Sequence, residues 1–206
     1  MPKVAYSREE REKIRAALVA VALAKIASQG VLHTTVEEIY TEVGISRTFF
    51  YSFFPTKEEL IVEALYLQQP RVVAYARALM EDPELSWREG VRRFFHACCY
   101  GERHGIAVLT VEEQQRIFHR LSPEGCEVFR EKQFRLFQEI LRCFGVRCEA
   151  EQVRLLTNLS LSVMVLRRAI PDTLPLFVPE AADAAADIQI EAIVDYLERM
   201  RENSPL

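Results

Sequence analysis

The residues best suited to chemistry crowd into residues 34–60, TTVEEIYTEVGISRTFFYSFFPTKEEL. A glycine at a tight turn, Gly44, separates two short helical patterns, and apolar residues on both can fix their crossing angle. The exposed face of the second pattern carries small polar, basic and aromatic side chains. That combination is a helix-turn-helix, in which only the second helix is free to enter a major groove. Arginine forks, hydroxyls and helix-terminal amides there bind base edges and phosphates.

Other constellations carry less. His96, Cys98, Cys99 and His104 invite a metal reading, but zinc needs three or four ligands converging at about 2.0–2.3 Å. Adjacent residues of a helix point about 100° apart, so Cys98 and Cys99 cannot both share a face with His96. Buried free thiols are the plainer reading, with thiol sensing as the alternative. There is no Ser/His/Asp set, no phosphate-cradling glycine loop and no paired catalytic carboxylate. An enzyme is therefore not expected, nor a metal or other cofactor. Glu112-Glu113 and Arg92-Arg93 read as solvated helix faces.

The elements that must position these residues are helical throughout. Ser7/Glu10, Thr35/Glu38, Thr56/Glu59 and Ser86/Glu89 each have the spacing of a capping box, and each leads into an apolar run of helical period. The spacing predicts helices over 8–28, 36–43, 47–53, 57–80, 87–103, 106–118, 123–145, 150–169 and 184–201. Gly30 ends the first. Val36, Ile39, Tyr40 and Val43 form one stripe on the second. Pro70 predicts a kink or break in the fourth, and Pro171, Pro175 and Pro179 mark a loop before the last. The fold class is all-α with about nine helices: an N-terminal three-helix helix-turn-helix domain, residues 1–56, and a larger C-terminal ligand-binding and dimerisation domain, residues 57–206. The helix over 150–169 has almost no polar face, and the last helix has a stripe at Ile188, Ala192, Ile193, Tyr196, Leu197 and Met200. Such a pair could form half of an intermolecular four-helix bundle. Leu159, Val163, Leu166, Ile193, Tyr196 and Leu197 are the dimer-interface candidates.

The 206 residues are half hydrophobic, with seven glycines and nine prolines, which excludes collagenous and disordered classes. No uninterrupted apolar run reaches the roughly 18 residues of a membrane span, and the polar start lacks a secretory signal's apolar segment. Five cysteines, an odd number without a Cys-x-x-Cys pair, read as reduced cytosolic thiols. A cytoplasmic protein is expected. The net charge of −4 argues against a generic polyanion binder. Residues 1–60, however, hold eight basic and eight acidic side chains, so the deficit lies wholly in residues 61–206. Weak non-specific DNA binding with few phosphate contacts follows.

The segment resembles the DNA-binding domain of the tetracycline-repressor (TetR) family of bacterial transcriptional regulators. The matches are Thr34, Thr35, Ile39, Gly44, Ser46, Arg47, Phe50, Tyr51, Phe54, Lys57, Glu58 and Leu60, with Ile45 replacing the family's valine. Thr48 stands where glycine is frequent, and Phe49 where a small residue is usual. The resemblance in detail covers residues 7–60. It implies a homodimer on a double-stranded operator. Arg47 is the candidate for reading a guanine edge, worth roughly 1–3 kcal/mol, and Thr48 a second base contact. Thr34, Thr35, Ser46, Tyr51 and Lys57 join them as DNA-binding candidates, the last four as phosphate ligands. Phe49 either packs on a thymine methyl or turns into the domain. The resemblance also implies a small-molecule pocket among the fourth to seventh helices. The aromatics available are Trp87, Phe94, Phe95, Tyr100, Phe118, Phe129, Phe134 and Phe137, with Arg93, His96 and His104 to orient a polar or anionic group. A small hydrophobic or aromatic effector is expected to release a repressor from its operator. An activator, or a repressor controlled by a partner protein, is the alternative.

Overall fold

A computed structural model of the chain describes residues 6–169 and 178–203; Pro171 and Pro175 of the expected loop lie outside them. The described residues form helices and no strand. They are α1 (Arg8–His33), α2 (Val36–Val43), α3 (Arg47–Phe50), α4 (Lys57–Glu81), α5 (Trp87–Cys99), α6 (Gly101–His104), α7 (Val111–Arg120), α8 (Pro123–Cys143), α9 (Ala150–Ala169) and α10 (Ala182–Glu202), the last preceded by a 3₁₀ turn, Pro179–Ala181. These are the nine expected helices with the fifth divided at Tyr100, whose φ of −110° and ψ of 44° leave the helical region.

Local chemistry explains the starts. Ser7 and Thr35 make complete reciprocal capping boxes with Glu10 and Glu38. Thr56 and Ser86 cap α4 and α5 through the hydroxyl alone. A further complete box, Thr110 with Glu113, starts α7 five residues later than the periodicity suggests. Residues 106–110 instead lie outside any helix. The Gln68 side chain pairs with both backbone groups of Ala107, at 2.9 and 2.8 Å. α4 continues through Pro70 without a break.

α1 alone among the described helices combines the length and composition of a membrane span. Arg15 and Lys25 interrupt it, and the face bearing Leu18, Ala22 and Ile26 is buried, packed chiefly against α4. Gly30 stops the regular helix, as its type predicts, but helical backbone resumes at Val31. Its φ of 78° and ψ of 168° lie in a region open essentially to glycine only. Gly30→Ala is expected to lower stability by about 1–3 kcal/mol in urea unfolding; an unchanged midpoint would show that the kink relaxes freely.

Two apolar clusters hold the molecule. The first joins Leu18, Ile39, Phe50, Phe54 and Leu60 of the N-terminal helices to Leu109, Ile117 and Phe129 further along the chain. The second joins the later half of α4 to α5, α8, α9 and α10 around Phe94, Phe144, Leu156, Ile190 and Leu197. The first cluster thus carries α7 and the start of α8 directly onto the helices that hold α2 and α3.

Candidate nucleic-acid interface and effector cavity

α2 and α3 meet across Gly44, which is left-handed at φ 76° and ψ 30°. Ile39 and Phe50 are fully buried between them and α1. Ser46 caps α3 by accepting the Phe49 N–H at 3.2 Å. Arg47 and Thr48 therefore stand exposed on the first turn. Among the described residues the Arg47 guanidinium has no hydrogen bond, ion pair or ring contact. Tyr51 is exposed nearby. Thr35 is exposed at the start of α2, its hydroxyl on Glu38. Thr35, Ser46, Arg47, Thr48 and Tyr51 are thus accessible to a partner.

Two sequence-predicted contacts, Thr34 and Lys57, are placed otherwise, and Phe49 takes the inward of its two expected directions. Thr34 is buried, and its hydroxyl donates to the Gly30 carbonyl at 2.7 Å, closing the kink in α1. Phe49 turns into the domain. It stacks on Tyr6 with ring centroids 4.6 Å apart, meets Phe53 edge-on, and lies beneath the Arg11 guanidinium. An aromatic ring exchanges water for that cluster, which a thymine methyl need not supply. Lys57 is half-buried, and its ammonium donates to the Val31 carbonyl at 2.7 Å rather than facing outward. Burial pushes its pKa down, opposed by the neighbouring Glu58.

The same peptide region of α1 is held from a second side. Restarting a helix at Val31 leaves its first N–H groups without intrahelical partners. The carboxylate of Glu113 takes them: one oxygen accepts from Val31 at 2.6 Å and Leu32 at 3.3 Å, and the other from Thr110 at 2.8 Å. Glu113 is 3% exposed. This corrects the expectation that Glu112-Glu113 is a solvated face, which holds for Glu112 alone. The Thr110-x-x-Glu113 spacing is a visible helix-start signal, but its carboxylate's partners lie about 80 residues upstream and leave no mark on the local pattern. Val31 is therefore bound by N–H to α7 and by C=O to the start of α4.

Beyond Glu113 lies an apolar cavity of about 120 Å³ between α4, α5, α8 and α9. Phe94, Phe129 and Phe137, three of the aromatic candidates, line it. An adjoining groove of about 540 Å³ shares Gln114, Phe129, Gln133 and Leu161 and adds Phe118 and Phe134. The other candidates are elsewhere. Trp87 donates to the Phe144 carbonyl at 2.7 Å and lies under Arg201. Phe95 packs in the second core. His96 faces Asp187 at 3.2 Å, and Tyr100 donates to Asp183 at 2.7 Å. His104 is exposed, and Arg93 pairs with Glu89. A helix presents only one face to a cavity, and these residues occupy the others. A larger depression of about 830 Å³ is lined by Arg142, Arg147, Arg201 and Glu202 beside Leu141 and Val153, a polar wall unlike the cavity's.

Among the described residues no three His, Cys, Asp or Glu side chains gather as metal ligands do. Burial raises the thiol pKa of Cys98 far out of its ordinary range and that of Cys99 to about 11. At neutral pH the Cys99 thiolate is about a hundredfold scarcer than in an exposed cysteine. Iodoacetamide should therefore label Cys99 in the native protein at least that much more slowly than in urea; equal rates would contradict its burial.

The dimer candidates divide. Leu159 and Leu166 are exposed on α9, where Leu155 joins them, and Ile188 on α10 is 72% exposed. Tyr196 is half-buried. Val163, Ile193 and Leu197 are buried inside the chain's own second cluster, and so cannot face a partner. A helix apolar all round serves two contacts, and sequence does not say which side faces which.

Residues 18–64 match the model of the bacterial regulatory proteins of the tetR family. No curated protein matches the chain. Among solved structures, a TetR transcriptional regulator from Rhodococcus sp. RHA1 has a TM-score of 0.61 at 15% identity, covering 91% of this chain and 97% of that one. A TetR transcriptional regulator from Legionella pneumophila has 0.51 at 17%, covering 96% and 98%. The reduced form of NemR from E. coli has 0.52 at 13%, covering 91% and 97%. At such identities the likeness is one of fold.

Proposed function

We propose that the chain, whose residues 18–64 match the tetR family of bacterial regulatory proteins, is a DNA-binding transcriptional regulator of that family, and that it acts as a cytoplasmic homodimeric repressor, released from a palindromic operator by a small apolar effector. The observation that carries this reading is the physical continuity between cavity and reader. Leu109 and Gln114 line the cavity. Between them in the chain, Thr110 and Glu113 form the box whose carboxylate holds Val31 and Leu32. Lys57, at the head of α4, holds the same Val31.

An effector that displaces residues 109–114 therefore pulls on the end of α1 and the start of α4 together. Both helices carry the core on which α2 and α3 are seated. In a dimer joined through the outer faces of α9 and α10, such a shift alters the separation of the two α3 helices. They must stand roughly 34–36 Å apart to enter successive major grooves. A coupling of about 1–3 kcal/mol is typical of such a link. Arg47 and Thr48 supply base contacts, while Thr35, Ser46 and Tyr51 take phosphates.

A mobility-shift assay on DNA from upstream of the chain's own gene tests the reading. A retarded band that outlasts excess scrambled competitor, and disappears when an apolar ligand raises the protein's melting temperature, is the expected result. Equal retardation of scrambled DNA would remove the operator reading. A bound ligand without release would remove the effector-relieved mode.

A further inference from the structure

We infer that the effector is a compact, uncharged molecule of single-ring size, with one hydrogen-bonding group directed at Gln133. This rests on the effector reading above and narrows it to a ligand class.

The cavity walls carry the inference. Phe94, Phe129, Phe137, Leu65, Ile140 and Met164 supply apolar surface, and no lysine, arginine, histidine, aspartate or glutamate lines the space. Every charged or basic side chain considered above for orienting a ligand lies outside it. An ion transferred there would lose hydration with no counter-charge, a cost no apolar contact offsets. Cys98, the one ionisable group on the wall, is held as the neutral thiol by burial.

The polar groups are few and differ in availability. Both ends of the Gln68 amide are taken by the Ala107 backbone. Gln114 donates weakly to the Leu109 carbonyl at 3.4 Å. Gln133 makes no hydrogen bond among the described residues. It lines both the cavity and the adjoining groove. Arg130, Glu131 and Arg154 line only the groove.

Size sets the second limit. The cavity of about 120 Å³ is slightly smaller than one of about 150 Å³ known to hold benzene. A ring on the order of six atoms fits inside with its substituent pointing back to Gln133. A long acyl chain or a fused polycycle does not.

Calorimetry and thermal shift on the full chain at pH 7.5, with benzamide, benzoate and toluene as probes, test this. Benzamide and benzoate share a skeleton and differ in charge, and toluene lacks the polar group. Benzamide should bind at least tenfold more tightly than benzoate and several-fold more tightly than toluene. Gln133→Leu should abolish the preference for benzamide over toluene while leaving toluene binding in place. Benzoate binding as tightly as benzamide would overturn the exclusion of charge, yet leave the effector reading standing. An unchanged benzamide preference in Gln133→Leu would overturn the role of Gln133. If none of the three binds, the ligand class is wrong. Decanol and naphthalene, run alongside, then separate the two levels: binding of either preserves the effector reading, and release of DNA by neither removes it.

Discussion

Glu113→Ala is expected to lower the melting temperature by roughly 6–12 °C, the consequence of about 3 kcal/mol in a chain of this size. The variant removes the acceptor of three backbone N–H groups, those of Val31, Leu32 and Thr110. A buried N–H deprived of its acceptor costs about 1–3 kcal/mol, of which entering water recovers part. Glu113→Gln keeps an oxygen for Val31 and Leu32 but turns an NH₂ toward a donor, and should lose about half as much. Hydrogen exchange locates the effect: the Val31 and Leu32 amides should lose protection while those of α9 keep theirs. The functional expectation is sharper still. Effector should bind the Ala variant and no longer release it from DNA, because the wall of the cavity has lost its grip on α1. A melting temperature within one degree of wild type, with protection intact, would show that these bonds hold nothing together.

Arg47→Ala should behave in the opposite way, leaving stability within about 0.5 kcal/mol, since the side chain is exposed and makes no contact in the chain. Operator affinity should fall about tenfold to a hundredfold, the equivalent of one bidentate guanine contact. Binding to unrelated DNA should fall far less, and the spread between operator and scrambled sequence should narrow. Arg47→Lys separates charge from geometry. It keeps the cation but not the planar fork, so non-specific binding should recover and discrimination at one base pair should not. Fluorescence anisotropy on a set of single-base operator variants reads both. Discrimination at every position surviving in the Ala variant would take the reading role away from Arg47.

These two variants sit at opposite ends of what the sequence makes legible. Arg47 is found from local information alone: Gly44 fixes the turn, Ser46 caps, and the next residue must lie on the first turn of the reading helix. Seven of the ten described α-helix starts are equally local, because a serine or threonine hydroxyl accepts the N–H three residues on. The delayed start of α7 comes from the same code, since Thr110 and Glu113 form the box and Gly105, at φ 64°, turns the chain before it. Glu113 belongs to the other class. Its spacing marks a helix start, but its burial depends on the kink at Gly30 presenting two bare amides to it.

Phe49, Thr34 and Lys57 face inward for a related reason. Each occupies a position where the motif offers both an outward and an inward direction. Tyr6 and Arg11, the Gly30 carbonyl and the Val31 carbonyl drew them inward. The aromatics of residues 87–104 posed the same problem on a larger scale. Composition supplied rings in the right helices, but rotation about the helix axis decided that Phe94 lines the cavity while Phe95 and Tyr100 do not.

By itself, then, the sequence determined the all-helical class, the caps, the turn at Gly44 and the exposed start of α3. Those depend on interactions spanning three or four residues. Tertiary structure alone decided which face of each apolar helix is used within the chain. It set the size and neutrality of the cavity, and joined that cavity to α1 through one buried carboxylate. Those are contacts between residues tens of positions apart, and a one-dimensional pattern records the partners' types without recording that they meet.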